Sequence, residues 1–102
     1  MRRIVFVTFV PPTNTRGVRW RAKCLMTDTK VAVPQEDSMS SFQNAVRATL
    51  KYVELRTDYT PERVLVSYLG STHKNEYAFS VVGINAGEPP PKFTLFSELL
   101  KG

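Results

Sequence analysis

The sequence has few of the side chains on which enzyme and metal chemistry depend. Its 102 residues include one cysteine, Cys24, and one histidine, His73. One cysteine excludes an internal disulfide, and this pair supplies neither a zinc ligand set nor a nucleophile with its base. The glycine-containing segments NTRG and NAGE match neither a phosphate loop nor a dinucleotide fingerprint. The sequence therefore predicts a protein that is not an enzyme and that holds no metal or cofactor.

Long hydrophobic runs are also missing. No segment approaches the 18 or more apolar residues of a membrane-spanning helix, so we expect no membrane partner. The N-terminal run IVFVTFV has seven residues, contains Thr8 and ends at Pro11 and Pro12, which favours a strand over a secretory signal. A lone cysteine on the apolar side of a strand is typical of a buried thiol in a reducing compartment. These features predict a cytoplasmic protein.

Acidic side chains are scarce in the first third of the chain. Residues 1–33 hold one acidic residue, Asp28, and seven basic residues, a net charge of +6. The remaining 69 residues hold seven basic and eight acidic residues, a net charge of −1. Such asymmetry indicates a polyanionic or acidic partner, although net charge also serves solubility alone.

The basic residues of this first third are concentrated in an alternating stretch, RGVRWRAKC, at residues 16–24. As a strand, it presents a basic side formed by Arg19, Arg21 and Lys23. Its apolar side is formed by Val18, Trp20, Ala22 and Cys24. Alternate residues of a strand lie about 6.5–7 Å apart, which resembles the separation of successive phosphates along a nucleic-acid backbone. Arginine also binds phosphate through two parallel hydrogen bonds.

Other interpretations of this stretch stay open. A solvated outer face carries the same residues, and an acidic protein surface would bind them too. The indole of Trp20 could serve as a base-stacking platform, but its place on the apolar side favours packing in the core.

Hydrophobic periodicity predicts five strands and two helices. The predicted strands are residues 3–10, 16–26, 30–33, 63–70 and 76–84. The main helix is predicted from Ser41 to about Leu55, behind a capping box formed by Ser40 and Gln43. A short helix is predicted within residues 93–102. The main helix has an apolar stripe of Phe42, Val46, Thr49, Leu50 and Val53, and an opposite polar side of Gln43, Asn44, Arg47, Lys51 and Glu54.

This order predicts an α+β fold in a single domain spanning residues 1–102. We expect an antiparallel sheet of about five strands (βββαββ), one amphipathic helix packed on one face and a short C-terminal helix. The apolar side of the second strand would then meet the helix, with Trp20 and Cys24 buried. Its basic side would line the open face of the sheet.

The segment PPTNTRGVRWRAKC resembles the N-terminal pattern of short phage- and plasmid-encoded proteins that have no assigned activity. In that group a Thr-Asn-Thr-x-Gly loop precedes an alternating basic strand, a small hairpin and an amphipathic helix. The resemblance covers about half of the chain and carries over no catalytic residue. It implies a mobile-element origin, and with it either a DNA-transaction accessory or an inhibitor of a host defence system.

Together these features favour a small non-enzymatic nucleic-acid-binding accessory protein of a phage or other mobile element, acting in the host cell cytoplasm. We expect Arg19, Arg21 and Lys23 to contact phosphates. Arg16 would flank them, and Arg2 and Arg3 would widen the patch. The alternative is an inhibitor of the anti-CRISPR or anti-restriction type, which uses the same patch to bind an acidic or nucleic-acid-binding host protein. The choice between DNA and RNA, and a homodimeric state, stay open.

Overall fold

A computed structural model describes residues 2–12, 17–25, 27, 29–71, 73–84 and 92–101. The strands of this part are β1 (Arg2–Val10), β2 (Arg19–Cys24), β3 (Lys30–Pro34), β4 (Val64–Gly70) and β5 (Glu76–Gly83). The helices are α1 (Ser41–Arg56) and α2 (Phe96–Leu100), and a 3-10 turn, Pro61–Arg63, precedes β4. The predicted order of elements, including the short C-terminal helix, is confirmed.

The five strands form one sheet in the order β3-β2-β1-β5-β4. Each strand is antiparallel to its neighbours. β1 lies at the centre because β2 pairs with one of its edges and β5 with the other, as its β-branched and aromatic sequence favours. The α+β fold with a helix on one face of an antiparallel sheet is therefore confirmed.

A capping box fixes the start of α1. The Ser40 hydroxyl accepts a hydrogen bond from the Gln43 backbone N–H at 3.2 Å, and the Gln43 side chain accepts one from the Ser40 N–H at 2.9 Å. These bonds satisfy two donors that a helix start otherwise leaves unpaired. The amide of Gln43 also donates to the Leu100 carbonyl at 2.8 Å, which ties α2 to the first turn of α1.

The core lies between α1 and the sheet. Trp20 and Cys24 are each 2% exposed, so their predicted burial on the helix side is confirmed. Val5 and Val7 of β1 are fully buried on the same side. The other face of β1 is not covered in the same way, since Ile4 is 40% exposed there. The sheet therefore has a helix-covered face and an open face.

One prediction about α1 is wrong: Asn44 lies on the predicted polar side, yet it is 1% exposed. Its side-chain nitrogen donates to the carbonyls of Glu36, Met39 and Ser40 at 3.0–3.3 Å. Its side-chain oxygen accepts from the Glu36 N–H at 2.8 Å. The loop before α1 folds over the first turn, and the Asn44 side chain pairs with its part-buried backbone groups. Within the described ranges, no helix is both long and apolar enough to cross a membrane.

Candidate functional site

The alternation of β2 separates its side chains between the two faces of the sheet. Trp20, Ala22 and Cys24 are buried on the helix side. Arg19, Arg21 and Lys23 have the opposite parity and lie on the open face. The structure thus brings these three predicted site residues together on one side of one strand.

The residues beside these cations on the open face are mostly uncharged. Arg21 lies opposite Thr8 of β1 and Ala32 of β3, and Arg19 lies opposite Val10 and Pro34. The acidic residue of the five strands is Glu76, which lies one strand further away, opposite Thr8. Lys23 lies opposite Phe6 on one side and Lys30 on the other.

Lys30 is a site residue that the sequence analysis did not single out. It begins β3, is exposed, and lies directly opposite Lys23 on the open face. Facing like charges destabilise a sheet, so the pair is not explained by stability. The sequence carries a weak signal for this placement, because Lys30 and Ala32 alternate with Val31 and Val33 in the segment KVAV. In the structure Val31 and Val33 are buried. Arg19, Arg21, Lys23 and Lys30 are called the basic face below.

The basic face has no ion pair within the described part of the chain. The ion pairs there join Lys51 to Glu54 at 3.9 Å and Lys101 to Glu98 at 3.4 Å, and both lie on or beside helices. The Nη1 atom of Arg19 is buried and makes no hydrogen bond to a described residue. Within the described part of the chain, no carboxylate therefore neutralises any of the four cations.

Arg2 and Arg3 were both predicted to widen the patch, but they lie on opposite faces. Arg2 is exposed on the open face, opposite Val82 of β5. Arg3 is half-buried on the helix side, where its Nη1 donates to the Tyr52 hydroxyl at 3.2 Å. Successive side chains of a strand point to opposite faces, so only one of two adjacent arginines can join the basic face. Arg16 lies outside the described residues.

An apolar groove of about 740 Å³ continues the open face beyond Lys23. It is lined by Arg2, Ile4, Leu25, Leu69 and Ser80 of the open face, and it reaches the end of the sheet at Arg3, Cys24 and Thr27. Leu25 is 65% exposed and Leu69 is 53% exposed, which is unusual for large apolar side chains that lie together. The Leu25 N–H donates to the Ile4 carbonyl at 3.3 Å and so fixes one wall of the groove to β1.

The indole of Trp20 is not available as a base-stacking platform. Its ring packs against Phe9 at 5.2 Å and Tyr77 at 5.9 Å between ring centres, on the helix side of the sheet. Its Nε1 has no hydrogen-bond partner among the described residues. Phe79 is fully buried, whereas Tyr77 is only partly buried. Among the residues of the five described strands, the aromatic side chain on the open face is Phe6, which is half-buried.

The side chains with catalytic potential do not meet. His73 is exposed in the turn between β4 and β5, and the neighbouring Asn75 carbonyl accepts from the Phe9 N–H. Cys24 is buried opposite Val5. Val5 lies four residues, or about 13 Å, along β1 from Phe9, the residue beside the turn that holds His73. Among the described residues, no group of three or more histidine, cysteine, aspartate and glutamate side chains is arranged to hold a metal ion. The absence of enzymatic activity stays a prediction.

Comparison with known proteins finds no matching family model, no matching curated protein and no matching solved structure. The function is therefore inferred from the arrangement of the residues. That arrangement places four cations on one face of the sheet, beside an apolar groove lined by two further arginines, Arg2 and Arg3.

Proposed function

We propose that the protein binds nucleic acid without catalysis, by contacting phosphates with its basic face. The observation that supports this proposal is the placement of Arg19, Arg21, Lys23 and Lys30 side by side without an ion-pair partner in the described chain. Grouping like charges costs folding free energy, and a polyanion that binds there offsets this cost.

The spacing of the cations fits a phosphate backbone. Arg19, Arg21 and Lys23 are alternate residues of β2 and therefore lie about 6.5–7 Å apart along the strand. Lys30 lies one strand away, at about 4.7–4.9 Å between strand axes. One nucleic-acid chain could thus follow β2, with Lys30 beside the phosphate nearest Lys23.

A fluorescence anisotropy titration with short DNA and RNA tests the proposal. Four phosphate contacts predict that the logarithm of the association constant falls with the logarithm of salt concentration with a slope of roughly −2.8 to −3.6. Replacing Arg19 and Arg21 together by alanine should flatten this slope by roughly 1.4 to 1.8. Lys51→Ala is the matched control, because Lys51 is an exposed cation on the helix side of the molecule.

Undiminished binding by a folded R19A/R21A protein would show that the basic face is only a solvated surface. A third result would favour the alternative function, in which the protein inhibits a host defence system by binding a host protein. In that case the wild type, but not R19A/R21A, would retain a host protein from a nuclease-treated lysate and would not bind the oligonucleotides. The resemblance to phage and plasmid proteins makes the host cell cytoplasm the expected place of action for both.

A further inference from the structure

The open face combines two surfaces that a purely phosphate-binding protein does not need together. One is the basic face on β2 and β3, and the other is the apolar groove between Leu25, Ile4 and Leu69. The two are continuous, because Leu25 is the next residue of the same parity after Lys23. A chain that follows the cations of β2 therefore reaches the groove at its end.

The position of Arg2 supports one ligand for both surfaces. Arg2 lines the groove on the side of β1 and is exposed. The groove thus has a cation at each end, Lys23 on the strand that leads into it and Arg2 at its far rim. Arg3 also lines the groove, but its guanidinium donates to the Tyr52 hydroxyl on the helix side. An anionic chain with apolar groups matches this pattern of charge, apolar surface and charge. A wholly apolar ligand does not.

Phe6 provides an aromatic surface between the cations and the groove. It lies opposite Lys23 on the neighbouring strand and two residues from Ile4, on the same face. Its cross-strand neighbour on β5 is Ala78, which has a short side chain. A base turned inward from a backbone on β2 would meet Phe6 first, since the strands are about 4.7–4.9 Å apart.

We propose that the open face binds single-stranded nucleic acid, with the backbone along β2 and unstacked bases on Phe6 and in the groove. This inference rests on the proposed function, and it specifies which class of nucleic acid the protein binds. Only a single strand offers unpaired bases, which stack on aromatic and apolar side chains. In a duplex the bases stay paired, and the groove would receive nothing. Phosphate contact alone favours the duplex, because its charge density is higher.

Four fluorescent probes of about 12 nucleotides test this inference. They are a mixed-sequence DNA strand, the RNA of the same sequence, the DNA duplex, and an abasic DNA strand with the same number of phosphates. We expect at least one of the two intact single strands to bind about tenfold more tightly than both the duplex and the abasic strand. The comparison of DNA with RNA identifies the sugar that the face prefers.

Variants of the groove provide the second part of the test. Leu25→Ser and Leu69→Ser change exposed side chains, and Phe6→Leu removes the aromatic ring while keeping an apolar side chain. Each should bring the affinity of the intact strand toward that of the abasic strand and leave the salt slope unchanged. Leu55→Ser is the matched control, because Leu55 is 56% exposed on α1, away from the open face.

The outcomes separate this inference from the proposed function. Equal binding of the intact strand, the duplex and the abasic strand, with the expected salt slope, would overturn the single-strand inference and leave the basic face as a phosphate site. The same conclusion would follow if the folded groove variants bound the intact strand as the wild type does. No binding of any of the four probes would overturn both.

Discussion

Lys23 and Lys30 lie directly opposite each other on neighbouring strands, with both side chains on the open face. No ion pair within the described chain involves either of them. The pair therefore lowers the stability of the free protein and increases its attraction for a polyanion. A residue retained for binding and a residue retained for folding would respond differently to substitution.

Lys30→Gln should stabilise the protein and weaken its binding. Removal of the facing like charge should raise the free energy of unfolding by about 0.2–1 kcal/mol at low salt, and by less at high salt because of screening. The loss of one phosphate contact should flatten the salt slope of binding by roughly 0.7 to 0.9. Urea denaturation at two salt concentrations and the anisotropy titration measure these effects. Lys51→Gln is the control, since Lys51 has a carboxylate partner in Glu54; a K30Q protein less stable than the wild type would contradict the prediction.

Arg2 and Arg3 should have separate roles despite being adjacent. Arg3→Gln should lower the free energy of unfolding by about 1 kcal/mol, because the buried hydroxyl of Tyr52 loses its charged donor. Its effect on nucleic-acid binding should be smaller than that of Arg2→Gln, because Arg3 lines the groove but its guanidinium donates to Tyr52 on the helix side. Arg2→Gln should change stability by less than about 0.5 kcal/mol and reduce the affinity. Denaturation and binding curves of the two variants decide the matter, and equal effects of both on binding would refute the assignment of faces.

Trp20 should report folding but not binding. Its 2% exposure and its contacts with Phe9 and Tyr77 predict a blue-shifted emission that moves to the red on unfolding. Saturating nucleic acid should leave this emission nearly unchanged, because the indole lies on the helix side of the sheet. Strong quenching on addition of an oligonucleotide, with the fold intact by circular dichroism, would mean that the bases stack on the indole instead.

Asn44→Ala should be strongly destabilising for a polar residue on a helix. The substitution removes the amide that donates to the part-buried carbonyls of Glu36 and Met39 and accepts from the Glu36 N–H. We expect the free energy of unfolding to fall by about 2 kcal/mol or more. Urea denaturation measures the loss, and the exposed Lys51→Ala on the same helix provides the reference. A change below about 0.5 kcal/mol would show that water replaces the amide.

Local rules in the sequence were sufficient for the elements and for the composition of each face. The alternation of β2 placed Trp20 and Cys24 inward because a strand repeats every two residues. The Ser40–Gln43 spacing located the start of α1, since it satisfies donors within one helical turn. The clustering of strands around one helix gave the α+β class because a sheet buries an apolar face against a helix.

Relationships between distant segments required the tertiary structure. The register of β2 and β3 decided that Lys30 faces Lys23, because pairing depends on how the connecting turn aligns the two strands. The sequence pattern did not decide which of Arg2 and Arg3 joins the basic face, since both sides of β1 are apolar. Asn44 was misassigned because its partners belong to a loop whose path over α1 no periodicity encodes. The groove, too, forms where the end of β2 meets β1, β4 and β5, and residues of both parities line it, so they could not be grouped before the sheet was assembled.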